Sequence, residues 1–185
     1  MLRPGGQEFS RYADRTFSPG VCVQMGAEVD QKKGSVEMKI AVGAQGSAFE
    51  LKEAVKKALS EKGHEVFDVG QTDPEDTRHY FVDSVEQVAE MIISGRCQRG
   101  IVMCGSGAGV SLVANKIKGI YCVACESIFT AERIHLFNQA NVMAMGAMAV
   151  SREKACEMAL AFVDSRFGGG GALEHVKKIE EKYFK

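Results

Sequence analysis

From residue 38 onward, short apolar runs alternate with longer stretches whose apolar positions recur at helical spacing. The run at 38–43 (MKIAVG) is continuous, apolar and ends on glycine, the pattern of a strand buried on both faces of a parallel sheet. Over 48–61, Leu51, Val55, Ala58 and Leu59 fall on one helical face, with Lys and Glu elsewhere. A second strand is predicted at 64–69, entered through the helix-stopping Lys62-Gly63. Val82, Val85, Val88, Ala89 and Ile92 then predict a helix over 82–94. Further strands are predicted at 100–104, 120–125 and 141–145, and helices at 108–116, 128–138, 151–165 and 173–183. Such alternation implies right-handed crossovers and an α/β fold, a three-layer αβα sandwich around a five-stranded parallel sheet.

Residues 1–37 differ. They carry Pro4, Gly5-Gly6, Pro19-Gly20 and the polar run 30–35 without sustained periodicity, so they read as an N-terminal extension to a domain at 38–185. Composition narrows the function. The 23 basic and 24 acidic residues give a formal net charge of −1, which offers no basic excess for a nucleic-acid backbone. No apolar run is long enough to span a bilayer, and residues 1–17 lack the apolar stretch of a secretory signal. The six cysteines therefore read as reduced thiols in a cytoplasmic protein.

Ligands of open parallel sheets bind beyond the carboxyl ends of the strands. Two loops there are rich in small residues: Gly43-Ala44-Gln45-Gly46-Ser47, and Cys104-Gly105-Ser106-Gly107-Ala108-Gly109-Val110. In the second, glycines at alternate positions permit close backbone approach, and N–H groups lead into the next helix. The stretch is no dinucleotide fingerprint, because Val110 stands where a third glycine would fall and no acidic residue follows at the ribose-binding distance. A tight packing turn is an equally good reading of the glycines alone. Cys104 favours a ligand loop, since a thiol at a strand end facing helix N–H groups is placed to act as nucleophile or general base. Ser106 is placed to hydrogen-bond a substrate oxygen. Cys122 and Cys125 have CxxC spacing, but residues three apart on a strand face opposite ways, which argues against a metal or redox pair. Thiol redox chemistry at Cys104 ranks last, with no resolving cysteine nearby in sequence.

Residues 38–183 resemble the type B ribose-5-phosphate isomerases and galactose-6-phosphate isomerase subunits. The likeness rests on MKIAVG, AFELKEAVKKALSEKGHEVFDVG, IVMCGSGAGVSLVANKIKGI, FNQANVMAMG and FVDSRFGGG, in order. It implies a Rossmann-like fold, a dimer with shared active sites, and aldose–ketose interconversion of sugar phosphates without metal or other cofactor. It further implies Cys104 as the base that carries a proton between C1 and C2 through an enediolate. Gly105, Gly107, Ala108, Gly109 and Val110 match its oxyanion donors, Ser106 its hydroxyl and Asn138 a sugar contact.

Several positions depart from the family pattern. The Asp-His pair after the first strand reads Gln45-Gly46, and the His-Asn pair, whose histidine assists ring opening, reads Phe137-Asn138. The arginine after the fifth strand falls on Met148. The phosphate-binding segment before the last helix, read over 169–175, lacks both arginines and its histidine. Three histidines are candidate substitutes: His79, in a segment where the family places a substrate contact, His175, on an arginine position, and His135, which reads better as a solvent-facing or capping residue. The expected partner is a sugar or sugar phosphate, with a homodimer or higher oligomer, or a paralogous subunit, completing the pocket. The alternative is a non-catalytic or partner-dependent paralogue that binds such a ligand.

Overall fold

The first strand, β1 (Lys39–Ala44), is one exposed lysine followed by five fully covered residues, which is what a central strand requires. In the computed structural model, which describes residues 37–76, 78–168 and 171–184, it is followed by a 3-10 turn (Gly46–Ala48) and α1 (Phe49–Glu61). Then come β2 (Glu65–Asp68), α2 (Phe81–Ile93), β3 (Arg99–Cys104), α3 (Ala108–Ala114), β4 (Cys122–Ala124), α4 (Ile128–Asn138), β5 (Val142–Gly146), α5 (Arg152–Asp164) and α6 (Ala172–Tyr183). Each predicted strand and helix is present, with ends moved by at most two residues. The 3-10 turn had no periodic signal. Residues 1–36 of the extension, with Cys22, and Gly169-Gly170 of the predicted phosphate segment lie outside the described residues.

All five strands are parallel, in the order β2-β1-β3-β5-β4. The chain moves outward from β1 to β2 and then returns to the other side of β1 for β3. The topological switch point therefore lies between β1 and β3, where their carboxyl ends part. The register sets Ala44 opposite Met103 and Cys104 opposite Gly146, so the three central strands finish side by side.

Two apolar clusters fill the layers. Leu51, Val55 and Leu59 of α1, Ile134 of α4 and Met158 and Phe162 of α5 cover one face, against Ile40, Val42, Met103 and Met145. Val85, Val88 and Ala89 of α2 and Val110 and Ala114 of α3 cover the other, against Ala41, Val102 and Ala144. Cys104 belongs to this second face. Cys125 and Cys122 divide between the two clusters, as their spacing predicts, and burial pushes both thiols up to about 12. Helix α6 buries none of its residues; Glu180 anchors it to the Gly119 N–H at 2.9 Å and the Tyr121 hydroxyl at 3.0 Å. No helix among the described residues is long and apolar enough to cross a membrane.

Candidate active site at the carboxyl ends of the central strands

The loop after β3 is folded back onto its own thiol. Gly107 has φ +77°, a conformation that costs an L side chain energy, and a Cβ there would meet the Met145 carbonyl carbon at 2.8 Å. With glycine in place, the Gly107 N–H donates to Cys104 Sγ at 3.2 Å and Ala108 N–H donates to Ser106 Oγ at 3.3 Å. The intrahelical ladder begins only where Ser111 N–H reaches the Gly107 carbonyl, so Gly109 and Val110 precede it with first-turn donors that have no helical acceptor. Cys104 is 6% exposed and is a free thiol.

The β5 loop closes over this turn. Ala147 and Met148 N–H groups donate to the carbonyls of Cys104 and Gly105, both at 2.9 Å. A Cβ on Gly105 would stand 3.6 Å from Met148 Cε and 3.7 Å from Ser47 Oγ, so Met148 and Ser47 flank that residue. Met148 is 85% exposed. Gln45 follows β1, its N–H donating to the Met103 carbonyl at 3.2 Å. Next to these loops a cavity of about 460 Å³ is lined by Gly46, Ser47, Glu50, Leu51, Ala147, Val150, Ser151 and Arg152. Arg152 donates to Glu50 across its rim at 2.7 Å. A second cavity of about 470 Å³ runs along β2 beside Asp68, Gly70 and Arg96 and includes none of the sequence-predicted residues.

On the α2 side, His79 Nε2 lies 2.7 Å from Ser84 Oγ, which donates to the Ala44 carbonyl at 2.9 Å. The Phe81 ring packs against Gly109, with a Cβ there meeting it at 3.3 Å, so the start of α2 adjoins the thiol loop. The segment between β2 and α2 is held by a buried lysine. Lys52, fully covered, donates to both Asp68 oxygens at 2.9 and 2.8 Å and to the Gln71 carbonyl at 2.7 Å. Gln71 N–H in turn donates to the Ala44 carbonyl at 3.0 Å, and its amide to the carbonyls of Asp73 and Asp76. Burial works to raise the Asp68 carboxyl, but hydrogen bonds from Lys52 and Lys56 outweigh it and hold the carboxyl below its usual range.

The structure therefore brings Gln45, His79 and the Cys104–Val110 loop to one end of the sheet. It does not bring Asn138, His135 or His175 there within one protomer. Asn138 ends α4, and Asn141, just beyond it, accepts from the N–H of Gly100 near the start of β3. Asn138 is thus separated from Cys104 by the length of the sheet, roughly 15 Å at the usual rise per residue. His135 Nδ1 contacts the Ala140 carbonyl at 3.0 Å, and burial, helped by Arg99, lowers its pKa, which suits a capping residue. His175 is exposed on α6. Ser47 belongs to a loop that the sequence marks, whereas Ser84, Lys52 and Arg152 carried no such mark. Ser84 offered one signal, a hydroxyl inside the apolar stripe of α2. Among the described residues no group of three or more His, Cys, Asp or Glu side chains could hold a metal ion.

The whole described domain has relatives. The Ribose/Galactose Isomerase family model matches residues 40–181. The chain is 37% identical to a 4-deoxy-4-sulfo-D-erythrose isomerase of Clostridium sp., over 80% of this chain and 99% of that protein. It is also 37% identical to a D-erythrulose-4-phosphate isomerase of Pectobacterium atrosepticum, over 77% of this chain and 93% of that protein. Among solved structures, ribose-5-phosphate isomerase B of Clostridium thermocellum superposes with a TM-score of 0.74 at 34% identity, covering 79% of this chain and 99% of that one. With a matching parallel sheet and a match across nearly all of the domain, the chain belongs to the ribose/galactose isomerase family.

Proposed function

We propose that the protein interconverts an aldose and a ketose of four carbons that carry a terminal phosphate or sulfonate, with Cys104 as the base at C1 and C2. The observation that carries this reading is the pairing of a buried thiol, inside a glycine loop at the switch point, with Phe137 where the resemblance puts a ring-opening histidine. A pentose 5-phosphate keeps a free C4 hydroxyl and closes to a furanose, so an acid that opens the ring speeds its turnover. A tetrose esterified or sulfonated at C4 has no such hydroxyl and stays open. Loss of that histidine therefore costs nothing for a four-carbon substrate. Two of the relatives above are named for substrates of this kind.

The roles divide by location. Cys104 moves the carbon-bound proton, a contribution typically of about 10²–10⁴-fold. N–H groups of the Gly105–Val110 loop and the Ser106 hydroxyl hold the enediolate oxygens. Gln45 precedes Gly46 and Ser47, which line the cavity at the start of α5, where Arg152 and the N-terminal N–H groups of α1 and α5 receive the terminal anion. A second copy of the chain, docked on the apolar stripe of α6, supplies Asn138. That stripe leaves Val176, Ile179 and Tyr183 exposed in one protomer, with Ile179 at 59% and Tyr183 at 65%.

Isomerisation measured on D-erythrulose 4-phosphate, D-erythrose 4-phosphate, the 4-sulfo analogue and ribose 5-phosphate tests the reading. The expected result is turnover of a four-carbon substrate with kcat/KM at least about tenfold above that for ribose 5-phosphate, a difference of about 1.4 kcal/mol in transition-state binding. A preference for ribose 5-phosphate overturns the substrate class. Saturable binding without turnover of any of them establishes the non-catalytic alternative.

A further inference from the structure

We propose that His79 is a second proton-transferring residue of this site, carrying the hydroxyl proton between O2 and O1 of the sugar while Ser84 fixes its tautomer; the inference rests on the isomerase reading above. A serine hydroxyl has one hydrogen to donate. That of Ser84 is used on the Ala44 carbonyl at 2.9 Å, an oxygen that can only accept. The 2.7 Å contact between Ser84 Oγ and His79 Nε2 must then be donated by the histidine. The proton of the neutral ring sits on Nε2, and Nδ1 carries the lone pair. Nδ1 makes no hydrogen bond to any described residue, so its basic nitrogen is not consumed by the fold.

The chain of contacts also has a specific placement. Ser84 is completely buried in the α2 face that packs beside Cys104. Its helix comes close enough that a Cβ on Gly43 would meet the Ser84 carbonyl oxygen at 2.9 Å. Ala44, the carbonyl it holds, pairs with Met103, the residue before Cys104. A helix-interior serine ordinarily bonds back within its own helix. This one instead ties α2 to the end of β1 and His79 to that end, one strand across from the thiol.

The reaction needs such a group. Converting aldose to ketose moves one proton from C2 to C1 and another from O2 to O1. The C1 carbonyl becomes an alcohol and the C2 alcohol becomes a carbonyl, with no outside oxidant or reductant. Cys104 accounts for the carbon-bound proton. A neutral imidazole takes the O2 proton on Nδ1, delivers it to O1 and ends in the state in which it began.

The test uses the full chain with D-erythrose 4-phosphate in D2O, following product and the deuterium in recovered substrate. In His79→Gln the side-chain amide can still donate to Ser84 but offers no basic nitrogen. We expect kcat to fall about 10²–10⁴-fold with KM nearly unchanged. Deuterium exchange per product formed should rise at least about tenfold, because Cys104 still works on the carbon proton. Ser84→Ala, which releases the ring without removing it, should lower kcat and spare KM. The proposal is overturned if His79→Gln retains wild-type kcat, or if exchange and turnover fall in equal proportion. Absence of turnover by the wild-type chain on any of the sugars removes the isomerase reading and this inference together, whereas a fully active His79→Gln removes only the inference.

Discussion

The backbone N–H of Gly107 points back at the sulfur of Cys104 and donates to it at 3.2 Å, three residues along the same loop. The contact exists because Gly107 adopts φ +77° against the Met145 backbone. A side chain at this residue would meet both obstacles at once.

Gly107→Ala should therefore injure fold and site together. We expect a destabilisation of about 2 kcal/mol, or a fall of about 4–8 °C in the thermal midpoint, with a larger loss of activity than of stability. Cys104→Ser should leave the midpoint nearly unchanged and lower kcat about 10²–10⁴-fold. Thermal unfolding and steady-state kinetics on both variants separate the two effects. Unchanged turnover in Cys104→Ser rules out the thiol as base.

Glu50 holds Arg152 at the rim of the cavity and would compete with the terminal anion for its guanidinium. Replacing Glu50 by Gln frees the guanidinium and removes a repelling charge, so KM for a phosphorylated substrate should fall a few-fold. Arg152→Gln should raise KM by about tenfold and leave kcat much less affected. Equal KM values in both variants would place the anion elsewhere.

The buried Lys52 and the half-buried Asp68 form a pair that also fastens the start of the segment leading to His79. Asp68→Asn leaves the buried Lys52 ammonium with only the partly exposed Glu53 carboxylate, at 3.5 Å, as counter-charge and should cost about 3 kcal/mol by denaturant unfolding. The wild-type pair also fixes a pH dependence. The Asp68 carboxyl titrates below its ordinary value of 3.8 in the folded protein, so the unfolded chain binds its proton first as pH falls. Its contribution is fully present above that ordinary value and drains away as pH drops through the folded pKa. Asp68→Asn should flatten this part of the acid-unfolding curve, and an unaltered curve would show that the pair is energetically neutral.

The stripe of Val176, Ile179 and Tyr183 on α6 is left exposed in its own protomer, and Asn138 lies a sheet's length from Cys104. If a second copy covers the one and supplies the other, Ile179→Glu should shift the sedimentation coefficient to that of a monomer and abolish turnover. A monomeric variant with full activity would show that each protomer is complete.

Much of this was legible in the chain itself. The apolar runs ending in glycine and the periodic stretches between them determine which residues are strand and which are helix, because burial on both faces or on one face imposes those patterns locally. The Cys104 loop is equally local: a thiol and three alternating glycines at the end of a strand describe the turn almost completely. Strand order is not local. That β5 lies between β3 and β4, that Ser84 meets Ala44 forty residues away, and that Lys52 finds Asp68 depend on which surfaces pack when the sheet closes. The same packing separates Asn138 from Cys104, although both fall in segments that the sequence marks for one pocket. Periodicity reports the environment of each residue, whereas its neighbour is decided by long-range pairing, and only the folded sheet selects that neighbour.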